Sequence, residues 1–181
     1  MTDDELMYAI TQQDKEAFTA LVNCHVDGSY AYAFRLAQSS QLAEDLVQDI
    51  WLVVWQRARQ YKPGRVQFET WLHKILYNKF IDVVRRKKPD YDTHYVENQP
   101  ADDNAYADRV IRERFNRYNS ALRDLPHNQR AALLLVHIQN FNQKQVAIIL
   151  GMSVRAVESL LARGRRTLQK ADQSFQGELH D

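Results

Sequence analysis

The 181-residue chain has one cysteine, five glycines and four prolines. A single thiol, Cys24, excludes an internal disulfide, and with only His25 beside it no closed zinc site can be assembled, so both residues read as structural. Scarce glycine and proline, apolar residues recurring every three to four positions and no sustained alternation all indicate helices and leave no need for strands. No apolar run approaches the ~20 residues of a membrane span. The start, Met1-Thr2-Asp3-Asp4-Glu5, is acidic where a secretory leader would be basic, and a cytoplasmic protein is expected. There is no glycine-rich phosphate loop, and the six histidines are scattered. Asp45 and Asp49 stand one helical turn apart beside Glu44 but lack any further ligand at matching spacing. Neither a catalytic residue nor a metal or other cofactor is expected.

The net charge of +1 conceals a strong segregation. Residues 1 to 60 carry 4 bases and 9 acids, 61 to 88 carry 8 and 2, 89 to 108 carry 0 and 6, and 109 to 181 carry 12 and 6. Two basic segments therefore flank an acidic one. Lys and Arg gain affinity for phosphate backbones by counterion release, so two separate basic surfaces imply a polyanion met twice by one chain.

The stretch from Gln143 to Arg166 reads as two helices around a tight turn. Val146, Ala147, Ile149 and Leu150 form an apolar face, and Gly151 supplies the positive φ of a sharp helix exit. Ser153 can cap the following helix, whose buried side is Val157, Leu160, Leu161 and Leu168. This is a helix-turn-helix pattern, a DNA-binding motif, although an ordinary helical hairpin has the same outline.

Ahead of it, Glu16 to Val22 and Tyr30 to Leu36 give two helical patterns, and Ser39 and Ser40 offer caps for a third helix beginning near Gln41. In that third helix Leu42, Leu46, Val47, Ile50, Val53 and Val54 form one stripe. Glu44, Asp45, Gln48, Asp49 and Gln56 occupy the opposite face, with Trp51 or Trp55 leaning outward. Such a face either solubilises a surface helix or docks a basic protein partner. After a turn at Tyr61-Lys62-Pro63-Gly64-Arg65, the next helix interleaves Phe68, Trp71, Leu72, Ile75, Leu76, Phe80, Ile81 and Val84 with bases. Aromatic faces beside Lys and Arg suit unpaired bases and their phosphates. Phe68, Trp71, Leu72 and Ile75 have core spacing, which leaves Lys62, Arg65, Lys74, Asn78, Lys79, Arg85 and Arg86 as nucleic-acid candidates. Residues 87 to 104, with Pro89, Pro100 and many acids, resist a helical reading. The expected organisation is all-α: a front domain at 1–88, a flexible acidic linker at 89–107 and a rear helix-turn-helix domain at 108–175, small enough to be marginal alone.

This order of parts resembles a bacterial sigma factor of the small two-domain type, the extracytoplasmic function (ECF) subfamily. The resemblance rests on Ala43 to Trp55, on Phe68 to Arg86, and on Ala121-Leu122-Arg123-Asp124-Leu125-Pro126 with Gln129-Arg130 and the helix-turn-helix; it covers about residues 8 to 172. It implies that Asp45, Gln48, Asp49 and Trp55 meet the clamp helices of the largest subunit of core RNA polymerase. Asn78, Lys74 and Lys79 would lie near the non-template strand of an opened minus-ten element, alongside Lys62, Arg65, Arg85 and Arg86. Ser159 and Arg163 match positions facing the major groove at the minus-thirty-five element, where Arg can pair bidentately with guanine. Lys144, Arg155, Arg165 and Arg166 would hold phosphates. The resemblance also implies contact with the flap of the second-largest subunit, promoter melting without covalent chemistry, and control by an anti-sigma factor.

The chain departs from the family pattern in four places. Glu158 and Leu160 stand where Lys or Arg is frequent, Gln145 where Glu is common, and Gly164 where Ala is common. Glu158 can accept from a cytosine amino group, and Gly164 would cost about 1 kcal/mol of helix stability at an exposed site. Two rival functions are a sigma-like mimic that titrates an anti-sigma factor, expected to lack the acidic or basic face, and a dimeric helix-turn-helix repressor. The repressor leaves the front helices without purpose and lacks a heptad seam.

Overall fold

The computed structural model describes residues 1–86 and 119–178, the last eight of them as backbone only; the expected linker at 89–107 lies outside the described residues. Among the described residues every regular element is helical. The front bundle consists of α1 (Asp3–Thr11), α2 (Lys15–Ala37), α3 (Ser40–Arg57), a short 3₁₀ turn (Ala58–Gln60) and α4 (Phe68–Arg86). The rear bundle consists of α5, described over 119–123, then α6 (His127–His137), α7 (Gln143–Leu150) and α8 (Val154–Glu178).

Helix α1 is not among the expected helices. It is started by a capping box in which Thr2 and Glu5 satisfy each other's backbone N–H, and it buries Leu6, Met7 and Ile10. The two patterns read at 16–22 and 30–36 are one continuous 23-residue helix, α2, capped by Asp14. Gly28, between them, meets no neighbour where a Cβ would be. Its helix-weakening cost of about 1 kcal/mol is absorbed because α2 packs on α1, α3, α4 and α6 at once.

Helix α3 starts where expected, with the Ser39 hydroxyl accepting from the Leu42 N–H. Its buried side is Ala43, Leu46, Val47, Ile50, Trp51 and Val54. The expectation that Trp51 leans outward needs correcting: it is 6% exposed, because its indole fills the space between the Phe18 and Phe68 rings. Trp55 is half-buried on the edge of Phe18. In α4, Phe68 and Leu72 are core and Trp71 and Ile75 are half-buried against it, in agreement with the core reading of their spacing.

The helix-turn-helix forms as its local chemistry dictates. Asn142 and Gln145 make a capping box for α7, Gly151 leaves it at φ 67°, and the Ser153 hydroxyl accepts from Ala156 N–H at the start of α8. Of the departures from the family pattern, Leu160 sits on the buried side that its spacing predicts, and Gly164 takes on a different meaning. Leu160 is only 9% exposed, so its side chain belongs to the hydrophobic core and cannot read DNA. Gly164 is buried, and a Cβ there would stand 2.7 Å from Leu133 Cδ1, so its smallness lets α8 approach α6 rather than weakening an exposed helix. A Gly164→Val protein is therefore expected to lose about 1–3 kcal/mol through overpacking, read as a lower thermal midpoint. An unchanged midpoint would show that Leu133 has room to yield.

Candidate nucleic-acid interface

Helix α3 places Glu44, Asp45, Gln48, Asp49 and Gln56 on its exposed side, with Ala43, Leu46, Val47 and Ile50 buried beneath, so the acidic face is presented by a rigid support. Leu52 lies on the same side, one turn beyond Gln48 and Asp49, and is 57% exposed. An apolar side chain ringed by acids and amides on a helix surface has the anatomy of a docking patch, apolar at its centre and polar at its rim. Leu52 does not stand out in the sequence, because its neighbour Val53 better fits the apolar stripe. Placing Leu52 on an α-helical wheel with Gln48, Asp49 and Gln56 is the signal that finds it.

The structure joins two candidates that the sequence assigned to different partners. Lys79 Nζ of α4 is 3.0 Å from Asp49 Oδ2 of α3, in a half-exposed ion pair. The bases Lys74, Arg85 and Arg86 and the amide Asn78 are exposed on α4, and Lys62 and Arg65 are exposed in the turn before it, where Gly64 adopts φ 78°. Together they give α4 and its leading turn a cationic outer surface over an apolar inner one.

In the rear bundle, Arg155, Glu158, Ser159, Arg163, Arg165 and Arg166 are all exposed on α8, and Lys144 is exposed on α7. Val157, Leu160 and Leu161 anchor the other side of α8 in the core. Arg163 and Arg166 fold back so that each Nε donates to a carbonyl one turn earlier, Ser159 and Ala162, at 3.2 Å. This leaves the terminal guanidinium nitrogens available for an outside acceptor. No group of three or more His, Cys, Asp or Glu suited to a metal ion occurs among the described residues. No single helix among them is long and apolar enough to cross a membrane.

The two bundles touch directly, α4 against α7 and α2 against α6. Tyr77 of α4 donates to Asn128 Oδ1 of α6 at 2.7 Å, and Gln145 of α7 donates to Gln67 Oε1, ahead of α4, at 2.8 Å. Phe80 meets His127 edge to face at 5.7 Å, and His73 meets Phe141 in the same way at 4.9 Å. Arg130, 6% exposed, reaches across the junction to the Leu36 carbonyl. None of these residues is among the polymerase- or DNA-binding candidates of the sequence.

Comparison with known proteins accounts for both bundles. The Sigma-70 region 2 family matches residues 21–89, and the Sigma-70, region 4 family matches residues 115–168. The ECF RNA polymerase sigma factor SigE of Mycolicibacterium smegmatis is 34% identical over 157 residues, which are 82% of this chain but 59% of that longer protein. The ECF RNA polymerase sigma factor EcfG of Rhodopseudomonas palustris is 30% identical over 144 residues, covering 76% of this chain and 75% of that one. Among solved structures, the sigma factor RpoE of Bartonella quintana, crystallised with the anti-sigma factor NepR, superposes with a TM-score of 0.69 at 26% identity, over 86% of this chain and 96% of that one. An acidic helical face, an aromatic-basic helix and a helix-turn-helix, in the order and over the residues that these families span, place this chain in the ECF sigma factor family.

Proposed function

We propose that this chain binds core RNA polymerase, directs it to specific promoters and helps to melt them, acting in the cytoplasm without covalent chemistry. The observation that carries the reading is the placement of three solvent-facing surfaces on one helical scaffold: the acidic face of α3, the cationic face of α4 and the exposed face of α8. In this reading residues 1–88 form the polymerase-binding and minus-ten domain, 89–107 the linker and 108–175 the minus-thirty-five domain. Asp45, Gln48, Asp49 and Trp55, with Leu52 at their centre, dock on the clamp helices of the largest subunit, and the rear domain meets the flap of the second-largest. Lys62, Arg65, Lys74, Asn78, Lys79, Arg85 and Arg86 follow the opened strand, where Lys and Arg neutralise phosphates. Lys144, Arg155, Arg165 and Arg166 hold phosphates, while Glu158, Ser159 and Arg163 face base edges.

An anti-sigma factor is a further partner, by analogy with the RpoE–NepR complex. The mimic alternative is not favoured, since it predicts loss of the acidic or the basic face and both are intact. Transcription in vitro with purified core polymerase on a genomic library, followed by alignment of start sites, tests the whole reading. Initiation no different from core polymerase alone would refute it. Within that assay, Arg163→Ala is expected to cost about 1–3 kcal/mol at the upstream element and to relax its base preference. An unchanged preference would remove Arg163 from the readout.

A further inference from the structure

Among the described residues, Lys79 and Asp49 make the one ion pair that joins a lysine or arginine to a carboxylate, and it bridges two candidate binding faces of the front bundle. Asp49 lies on the acidic side of α3 and Lys79 on the cationic side of α4, with Nζ and Oδ2 3.0 Å apart. Their neighbours in sequence fix the pair: Ile50 is 0% and Phe80 3% exposed, and α3 packs on α4. Neither backbone can drift away without drawing a core side chain out with it. The two charged side chains remain accessible, Asp49 at 52% and Lys79 at 37%, so an outside group can reach each of them.

In that position each charge competes with the other's ligand. A phosphate drawn to the Lys79 ammonium would stand no more than about 6 Å from the Asp49 carboxylate, since both accept from one nitrogen at about 3 Å. Two anions that close repel, and the carboxylate cancels much of the ammonium's field toward a strand. A basic side chain approaching Asp49 meets the Lys79 ammonium in the same way. Once a cation of the partner sits on Asp49, the carboxylate no longer offsets Lys79, and the strand meets a full positive charge. We infer that this pair couples two binding events: polymerase docking on Asp49 uncovers Lys79 for the opened strand, and the strand on Lys79 uncovers Asp49 for polymerase. The inference rests on the sigma-factor reading above and adds to it a positive linkage between two of its partners, carried within the front bundle by one lysine and one aspartate. Such coupling is reciprocal, so one factor describes both directions. The strength of an exposed ion pair sets that factor at about 1.5- to 5-fold.

The first measurement takes the full chain without polymerase and follows its binding to a short fluorescein-labelled single-stranded DNA of mixed sequence, by anisotropy at low salt. Asp49→Asn is expected to bind about 1.5- to 5-fold tighter than the native chain. The slope of log affinity against log salt is expected to steepen by about 0.7, the mark of one more neutralised phosphate. Lys79→Gln removes the route, so in that background Asp49→Asn is expected to change neither affinity nor slope. An equal gain in both backgrounds would reflect bulk charge alone and would overturn the coupling, as would no gain in either. The second measurement is the affinity of core polymerase for the native and Lys79→Gln chains, each with and without saturating single-stranded DNA. The DNA is expected to tighten polymerase binding by the native chain about 1.5- to 5-fold more than by Lys79→Gln. Equal tightening of the two counts against the coupling. If the native chain binds no polymerase in either condition, the sigma-factor reading and the coupling fall together. If polymerase binds but the DNA comparisons give the wrong result, the coupling falls alone.

Discussion

Replacing Asp49 with lysine is expected to abolish promoter-directed transcription while leaving the helical fold intact. Asp49 is exposed on the acidic face of α3, and its one ion-pair partner among the described residues is Lys79 at 3.0 Å. An exposed pair contributes about 0.2–1 kcal/mol, and Asp49→Lys also sets two ammonium groups side by side, so the fold loses about 1 kcal/mol or a little more. Across a docked interface the same change meets a basic partner surface, where like-charge juxtaposition costs several kcal/mol. At ~1.4 kcal/mol per factor of ten, that is a loss of a hundredfold or more in polymerase affinity. Run-off transcription and co-elution with core polymerase measure the loss, and a circular-dichroism melt checks the fold. Asp49→Asn separates two contributions, since it removes the charge without reversing it and frees Lys79 for phosphate. If Asp49→Lys transcribes normally, α3 is not the docking surface.

The features legible in the sequence are those fixed by local rules. Ser39 before a stripe of Leu46, Val47, Ile50 and Val54, or Asn142, Gly151 and Ser153 around two short apolar faces, specify caps, turns and buried sides within a few residues. Where two apolar neighbours compete for one face, periodicity gives the wrong answer or none. Trp51 goes inward because Phe18 and Phe68, distant in sequence, form its socket, and Leu52 is left outside. Leu160 goes to the buried side that its spacing predicts, whereas Gly164 looks like a helix-weakening departure until the approach of α6 makes it a spacer. The junction is the least legible part. The hydrogen-bond acceptors of Arg130 are backbone carbonyls that every residue possesses, so no residue type in the sequence announces its role. Tyr77, Asn128, Gln67 and Gln145 become a set only when α4 meets α6 and α7.

Mild acid is expected to destabilise the protein by about 2 kcal/mol between pH 7.5 and pH 5, chiefly through His73. The His73 ring is 5% exposed, set between Tyr32 of α2 and Phe141 of the rear bundle at 5.2 and 4.9 Å. Burial pushes its pKa from the usual 6.5 down to about 4; the Glu69 carbonyl and the Gln139 amide offset this in part, and the nearby His25 adds to it. A base whose folded pKa is depressed is neutral in the folded state and charged in the unfolded one over the interval between the two values, here pH 4 to 6.5. The unfolded chain then holds more protons, so stability falls as pH drops through 6.5 and levels out below about 4. At ~1.36 kcal/mol per pKa unit the full span is roughly 3 kcal/mol, and about two-thirds of it is lost by pH 5. Urea midpoints across this range measure the slope. His73→Phe, which keeps a ring of similar size and cannot be protonated, is expected to flatten most of it, with a small remainder from His127, whose pKa burial also lowers. An unaltered slope in that variant would mean that another group carries the acid sensitivity and that the His73 site readily opens to water. Because the ring seals α4 against Phe141, the same titration is expected to loosen the junction between the bundles before either one unfolds, and hydrogen exchange at α7 compared with α3 separates the two events.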